Sequence, residues 1–232
     1  MIDLSTDYLG LKLKNPLVPS ASPLTRSLDS ALRLEDAGAA ALVMYSLFEE
    51  ELRAEDAMME RFLLQAGIGH SEAQGFLPDH GDFRGGLERY LEQLQQLKSR
   101  LGIPVVASLN GVSLSGWVEL GRALQEAGAD ALELNVYHVA GDLSESGEVV
   151  EARYLSLLGE LRRAVSLPIV MKLSPFFSSL PNFVAKLERA GARGVALFNR
   201  FYQPDIDLDR LCVVDRLHLS TADEALLRIR WL

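Results

Sequence analysis

Residues 37–44 read Ala-Gly-Ala-Ala-Ala-Leu-Val-Met, and two later stretches repeat this phrase, Ala-Gly-Ala-Asp-Ala-Leu-Glu-Leu at 127–134 and Ala-Gly-Ala-Arg-Gly-Val-Ala-Leu at 190–197. Glycine just past a helix adopts the left-handed conformation at little cost, and the short apolar run after it has the length of a strand. Each copy therefore predicts a helix that ends at the glycine and leads directly into a strand.

Two further apolar runs, 103–108 and 167–172, place proline at the start of a strand, where its missing N–H is tolerated. Amphipathic stretches with helical spacing lie between the apolar runs, at 27–37, 84–100, 113–127, 151–165 and 179–190. Continuous apolar strands that alternate with helices are typical of parallel β/α architecture.

We predict an incomplete (β/α)8 barrel of the α/β class, forming one partial domain over residues 1–232. Residues 1–16 contain a glycine-centred alternation at 8–13 that predicts a hairpin plugging one mouth of the barrel. Residues 17–232 provide units 1 to 6, with strands expected near Leu17, Ala41, Pro104, Ala131, Pro168 and Gly194. A polar loop and a helix at 221–232 follow, units 7 and 8 are absent, and an unpaired sheet edge is expected.

The composition of the chain indicates which kinds of molecule it can bind. The chain has 23 basic and 32 acidic residues, a net charge of −9, which argues against nucleic acid and favours a small-molecule substrate. The N-terminal residues contain no apolar run of signal-peptide or membrane-spanning length, so we expect a cytoplasmic protein that does not bind membranes. Cys212 is the single cysteine and is expected to be inert, and no metal-ligand spacing occurs in the sequence.

Reactive groups of parallel β/α folds lie at the carboxyl ends of the strands. In this chain those ends are rich in hydroxyl, amide and ammonium groups, in the stretches 20–22, 45–46, 108–111, 135–138, 172–175 and 198–200. Strand ends are loops, which are polar in any case, but clustering at five of the six ends favours a functional site.

The individual side chains at these ends leave several roles open. Lys172 could anchor an electron-rich ring, form a Schiff base or pair with an acid. Asn110, Asn135 and Asn199 suit the edges of a planar heterocycle, or they could cap loops. His138 could be a general base or a surface residue. The acidic run 49–51 reads as a solvated helix start.

Taken together, several stretches resemble successive signatures of the dihydroorotate dehydrogenase family. They are Asn15-Pro16-Leu17-Val18 with Ser20-Ala21-Ser22, Glu133-Leu134-Asn135, Val170-Met171-Lys172-Leu173-Ser174-Pro175 and Phe198-Asn199. Within the family, the branch of dihydroorotate dehydrogenase-like proteins is most similar, through the stretches 45–50 and 198–204. None of these motifs is specific alone, but their order along nearly the whole chain is.

The resemblance implies an FMN barrel that oxidises dihydroorotate to orotate, with hydride passing to the flavin while a loop base removes a proton. By position, Lys172 would contact the flavin ring and share the catalytic role with His138. The other cofactor-binding positions would be Ser20, Ala21, Ser22, Tyr45, Asn135 and Asn199. The substrate-binding positions would be Asn110, Asn135 and Asn199.

The sequence departs from the family pattern at several points. The family places a cysteine or serine base where this chain has Tyr137-His138, and a flavin-contacting lysine where it has Met44-Tyr45. The expected asparagine-bearing substrate loop is missing from residues 67–78. The glycine-rich turns that hold the FMN phosphate belong to units 7 and 8, so this chain alone is expected to bind FMN poorly.

Two alternatives to a flavin dehydrogenase of pyrimidine biosynthesis remain open on the sequence. One is an aldolase-type lyase that uses Lys172 as its Schiff-base amine. The other is an inactive partial barrel that acts only through association, either with itself as a homodimer or with another subunit.

Overall fold

The computed structural model describes residues 2–67, 85–111, 113–136, 138–199, 205–214 and 221–232. The strands are β1 (Thr6–Tyr8), β2 (Leu11–Leu13), β3 (Leu42–Phe48), β4 (Val105–Asn110), β5 (Ala131–Asn135), β6 (Ile169–Leu173), β7 (Gly194–Leu197), β8 (Asp205–Asp207) and β9 (Cys212–Val214). The α-helices are α1 (Leu28–Asp36), α2 (Glu49–Gly67), α3 (Gly86–Arg100), α4 (Leu114–Glu126), α5 (Gly147–Ala164), α6 (Leu180–Arg189) and α7 (Asp223–Ile229). A short 3-10 helix covers Pro23–Thr25.

The central feature is a five-stranded parallel sheet in the order β3-β4-β5-β6-β7. This spatial order is the order of the chain, so every right-handed crossover places its helix on the same face of the sheet. One face is therefore covered by helices and the other becomes the interior of a curved, open barrel wall. The prediction of an α/β fold of incomplete barrel type is confirmed.

The repeated Ala-Gly-Ala phrase does in the structure what the sequence predicts. Gly38, Gly128 and Gly191 follow α1, α4 and α6 with φ of +108°, +96° and +102°. These left-handed values close each helix and turn the chain into the next strand. The helix predictions agree with α1 and α3 to α6 to within a few residues, and Ser27, Ser113 and Ser146 cap three of them through their side chains.

The strand predicted near Leu17 is wrong. Leu17 is 62% exposed and no strand is formed there, although the segment lies along the edge of the sheet. The carbonyl oxygens of Leu17 and Pro19 accept hydrogen bonds from the backbone N–H groups of Ala40 and Val43, at 2.9 and 3.0 Å. Because Pro16 and Pro19 have no N–H to donate, a ladder cannot continue through this segment. The parallel sheet consequently has five strands in the described residues instead of the six expected.

The N-terminal hairpin is confirmed, and it plugs the mouth at the amino ends of the strands. β1 and β2 pair antiparallel around a turn in which Leu9 and Gly10 have φ of 59° and 84°. The buried Leu9 side chain packs against one inward residue from each of four strands, which are Val43, Val106, Ala131 and Val170. All four lie near the start of their strand, so the hairpin closes the bottom of the barrel interior.

Beyond β7 the structure adds a feature that the sequence reading missed. The expected polar loop contains the small antiparallel hairpin of β8 and β9, whose second strand begins at the exposed, unbridged Cys212. The terminal helix predicted at 221–232 is present as α7, and its neighbour Trp231 makes an edge-to-face contact with Phe198 after β7. Among the described residues, no helix is both long and apolar enough to cross a membrane.

Candidate active site

The interior wall of the barrel carries polar side chains directly above its apolar bottom layer. Side chains two residues apart on a strand share a face, so Ser108, Glu133 and Lys172 lie one step above Val106, Ala131 and Val170. β3 reaches the same level at Ser46, because a register irregularity between Val43 and Ser46 inserts an extra residue. The four side chains of this polar layer are Ser46, Ser108, Glu133 and Lys172.

Glu133 lies at the centre of the polar layer. Its side chain is only 4% exposed, and Oε1 accepts from Ser108 Oγ at 3.3 Å and from Lys172 Nζ at 3.4 Å. The Ser108 hydroxyl is also 2.9 Å from that of Ser46, which extends the chain of polar contacts to β3. The Lys172 side chain is 12% exposed, so its ammonium lies in the wall rather than in bulk solvent.

Amide side chains form the next layer, at the carboxyl ends of the strands. Asn199 Nδ2 donates to Asn135 Oδ1 at 2.6 Å, which joins the ends of β5 and β7. Asn110 ends β4 and shares the inward face of Ser108. The structure thus brings Lys172, Asn135 and Asn199 to one side of the sheet, as the strand-end argument predicted.

Tyr45 lies on the opposite side of the wall. The irregularity in β3 places Met44 and Tyr45 together toward the helices, where the Tyr45 ring meets Tyr90 edge-on at 4.9 Å. The guanidinium of Arg26 lies 5.0 Å from the centre of the Tyr45 ring. Burial raises the pKa of the Tyr45 phenol. Its part in cofactor binding stays a prediction, and the contacts shown here are those of a side chain in the helix layer.

Ser20, Ala21 and Ser22 form the loop between the edge segment and the 3-10 helix. Ala21 packs against the apolar bottom layer of the interior, which places this loop beside the barrel wall. The Ser22 carbonyl accepts from the Thr25 hydroxyl at 2.9 Å and closes the turn. Contact of these residues with a flavin stays a prediction.

His138 belongs to a cluster of ionic side chains in the loop after β5. Its Nε2 lies 2.7 Å from Glu145 Oε2, and Arg153 Nη1 lies 2.7 Å from its Nδ1. Arg153 also donates to Glu145 at 2.7 Å, so helix α5 ties down the loop. A carboxylate on one ring nitrogen is the arrangement that orients a general base. The catalytic role of His138 stays a prediction.

The reading of residues 49–51 as a solvated helix start is wrong for its first member. Glu49 is only 4% exposed and accepts from the backbone N–H of Ser113 at 2.9 Å and from its hydroxyl at 2.6 Å. Arg53 pairs with the same carboxylate at 2.6 Å. The positive end of α4 therefore draws the Glu49 side chain inward, whereas Glu50 and Glu51 are exposed.

Sequence reasoning missed Glu133 as a site residue. The signal was available, since Glu133 is the one charged residue in the strand Ala131–Asn135. Tyr137, Arg200 and the segments 68–78 and 201–204, which the sequence reading also used, lie outside the described residues. No group of three or more His, Cys, Asp or Glu side chains in the described part of the chain is arranged to hold a metal ion.

The chain is 30% identical over 197 residues to the catalytic subunit of dihydroorotate dehydrogenase B (NAD(+)) of Thermoplasma acidophilum, covering 83% of this chain and 61% of that protein. The chain is thus similar to dihydroorotate dehydrogenases over most of its length. The resemblance inferred from the sequence motifs is thereby confirmed, although no family model matches the chain.

Other relatives extend the comparison beyond dihydroorotate dehydrogenase itself. The NAD-dependent dihydropyrimidine dehydrogenase subunit PreA of Escherichia coli K12 is 28% identical over 85% of this chain and 48% of its own length. The chain thus spans about half of the length of the dihydropyrimidine dehydrogenase subunit and about three fifths of that of the dihydroorotate dehydrogenase subunit. Among solved structures, an IMP dehydrogenase/GMP reductase-like protein of Corynebacterium glutamicum aligns with a TM-score of 0.49 at 14% identity, over 84% of this chain and 48% of that one.

Proposed function

We propose that this chain provides the ring-binding wall of an FMN-dependent oxidoreductase that oxidises a dihydropyrimidine such as dihydroorotate. The observation that carries the proposal is the convergence of Lys172, Asn135 and Asn199 on one inner face, in a homologue of dihydroorotate dehydrogenases. An ammonium group and two amides above an apolar floor suit a planar heterocycle with carbonyl and N–H edges.

The donor set fits the isoalloxazine ring system of FMN. Lys172 would hold an electron-rich edge of the ring, and Asn135 with Asn199 would bind the polar edges of flavin and substrate. Ser20, Ala21, Ser22 and Tyr45 are proposed to complete the cofactor site, and Asn110 the substrate site. When bound, FMN supplies the hydride acceptor.

His138 is proposed as the base that takes the proton from the substrate carbon next to the hydride donor. Glu145 would orient the imidazole through its contact with Nε2. The guanidinium of Arg153 lies 2.7 Å from Nδ1 and 2.8 Å from Nε2 of the ring, and it also pairs with Glu145, whose side chain is 10% exposed. The proposed step requires Arg153 to leave the ring nitrogen that accepts the proton.

Flavin binding by this chain tests the proposal. We expect the fluorescence of lumiflavin, which has the ring system without the phosphate, to be quenched when the chain is added. Lumiflavin should bind about as tightly as FMN. Lys172→Met should weaken lumiflavin binding at least about tenfold, equivalent to ~1.4 kcal/mol, because it removes the ammonium from the ring site. Lys186→Met is the matched control, since it removes a lysine from an ion pair with Glu151 outside the site.

Several outcomes would count against this function. Failure of the parent chain to bind either flavin would reject the ring site, and equal binding by the Lys172 and Lys186 variants would reject the role of Lys172. Where flavin binds, addition of dihydroorotate should bleach the visible absorption of the oxidised ring. Trapping of a carbonyl substrate on Lys172 by borohydride would instead support a Schiff-base lyase.

A further inference from the structure

The buried Glu133 carboxylate has no assigned role in the proposed chemistry. Five polar or charged residues are classed as buried in the described part of the chain, and Ser108, Glu133 and Asn135 are three of them. These three lie on the inner face of two neighbouring strands, with Ser108 and Glu133 directly opposite each other in register. A carboxylate is therefore built into the wall beneath the amide layer.

Glu133 is contacted by one charged group, the Lys172 ammonium, and by the uncharged Ser108 hydroxyl. A single oxygen, Oε1, receives both the Ser108 hydroxyl at 3.3 Å and the Lys172 ammonium at 3.4 Å. Both distances are long for hydrogen bonds to a charged group, and burial of a carboxylate is costly unless its pairing is close. The flanking residues Leu132 and Leu134 point to the opposite face, into the core beneath the helices.

The neighbours of the Glu133 carboxylate lie on defined sides of it. The Ser46 and Ser108 hydroxyls approach from β3 and β4, and Lys172 approaches from β6 on the other side. Tyr8 of the N-terminal hairpin lies below, where burial first and the Glu133 charge second raise its pKa to about 12. Burial raises the pKa of the Tyr90 phenol, and the Glu133 charge contributes in the same direction. Of these neighbours, Lys172 is the one with a positive charge.

We propose that Glu133 is a positioning residue that holds the Lys172 ammonium against the barrel wall and balances its charge, thereby setting the reduction potential of the flavin. The inference rests on the proposed function, in which Lys172 contacts the ring. An isolated ammonium stabilises the extra negative charge of a reduced ring, and a carboxylate 3.4 Å from that ammonium opposes this stabilisation. Glu133 thus keeps the flavin potential lower than Lys172 alone would set it.

The potential of flavin bound to Glu133→Gln tests this role. The substitution keeps the shape and removes the charge, so we expect the two-electron reduction equilibrium to shift at least about tenfold toward the reduced form, a rise of ~30 mV. Glu133→Asp retains the charge at a greater distance from Lys172 and should give a smaller rise. Glu151→Gln removes the carboxylate from the Lys186 pair, and should leave the potential unchanged. An unchanged or lower potential in both Glu133 variants would overturn the proposal.

A double-mutant cycle on unfolding tests the Glu133–Lys172 pair without flavin. We expect the effects of Glu133→Gln and Lys172→Met on the free energy of unfolding to be non-additive. The unfolding equilibrium constant of the double variant should differ at least about tenfold from the value that the two single variants predict together. The matched cycle of Glu151→Gln and Lys186→Met should depart less, because that pair is more exposed. If the parent chain binds flavin but the Glu133–Lys172 pair shows no coupling, the role of Glu133 is rejected while the proposed function stands. Coupling without flavin uptake by the parent chain would reject the proposed function, and with it the effect on potential.

Discussion

Gly116 shows how closely a single residue is matched to its neighbour. A Cβ atom at this position would lie 2.2 Å from Glu49 Oε1, and the same carboxylate is held by Ser113 and Arg53. The Glu49 side chain cannot move away without losing its hydrogen bonds to the start of α4. A glycine in the first turn of this helix is therefore required by contact, and not by its backbone conformation.

Gly116→Ala is expected to lower the free energy of unfolding by about 1–3 kcal/mol, the usual cost of overpacking a filled site. Urea unfolding followed by circular dichroism measures the change. Gly159→Ala in α5 is the control, since no atom lies within 4 Å of the added Cβ, and it should be neutral or stabilising by up to ~1 kcal/mol. Equal effects of the two substitutions would contradict the close contact with Glu49.

At the scale of residues, the sequence predicted the candidate site only in part. Lys172, Asn135 and Asn199 could be placed together because strand ends of a parallel sheet converge on one edge. Tyr45 could not be placed, since the extra residue in β3 that turns it toward Tyr90 has no sequence signal. The inward path of Glu49 depends on the start of α4, more than sixty residues away in the chain.

At the scale of elements, the N-terminal hairpin is small but closes one end of the interior. Its turn holds Leu9 at φ 59°, a conformation that is unfavourable for leucine, and the burial of the side chain against four strands compensates for it. Gly194 opposite leaves room for this side chain, because a Cβ there would lie 2.9 Å from Leu9 Cδ2.

Leu9→Ala is expected to cost about 2–5 kcal/mol of unfolding free energy, because a buried leucine is removed from a packed layer. Gly10→Ala should cost about 1–2 kcal/mol, since its φ of 84° is strained for alanine while the space around it is open. Leu4→Ala, at an exposed position, is the matched control. Chemical denaturation of the three variants gives the order, and a Leu9 variant as stable as the Leu4 variant would show that the hairpin is not a plug.

The positions of the helices and strands could be predicted better than the pairing of the strands into sheets. The Ala-Gly-Ala phrase fixed three helix ends, and the apolar runs located every strand of the parallel sheet from β3 to β7. The failure near Leu17 arose because an apolar stretch between two prolines can accept hydrogen bonds but cannot return them. The β8–β9 hairpin was missed because strands of three residues carry almost no periodic signal.

At the scale of the whole molecule, buried tyrosines make the free energy of unfolding depend on pH in the alkaline range. Burial raises the pKa of Tyr154 to about 12, and burial with the Glu133 charge raises that of Tyr8 to about 12, against an ordinary value of 10.0. The Tyr90 phenol is shifted in the same direction by burial. Below pH 10 these phenols are protonated in both the folded and the unfolded chain, so their contribution to stability is fully present. Above pH 10 the unfolded chain releases the protons before the folded protein does, and stability is lost.

We therefore expect the free energy of unfolding to fall steadily as the pH rises from 10 toward 12. Urea unfolding at a series of alkaline pH values measures this slope. Tyr8→Phe should reduce the slope, because one of the shifted phenols is removed, while stability of the two proteins differs by a constant amount below pH 10. A Tyr8→Phe protein with the same alkaline slope as the parent would show that Tyr8 ionises normally in the folded state.

The hairpin at the bottom of the barrel also determines which side of the polar layer is covered by protein. With Leu9 packed beneath the polar layer, a molecule reaches Lys172 from the side of the strand ends. Asn135 and Asn199 lie on that same side, at the carboxyl ends of β5 and β7. In the proposed function, a ring held by Lys172 would therefore have the hairpin beneath it and the two amides at its open side.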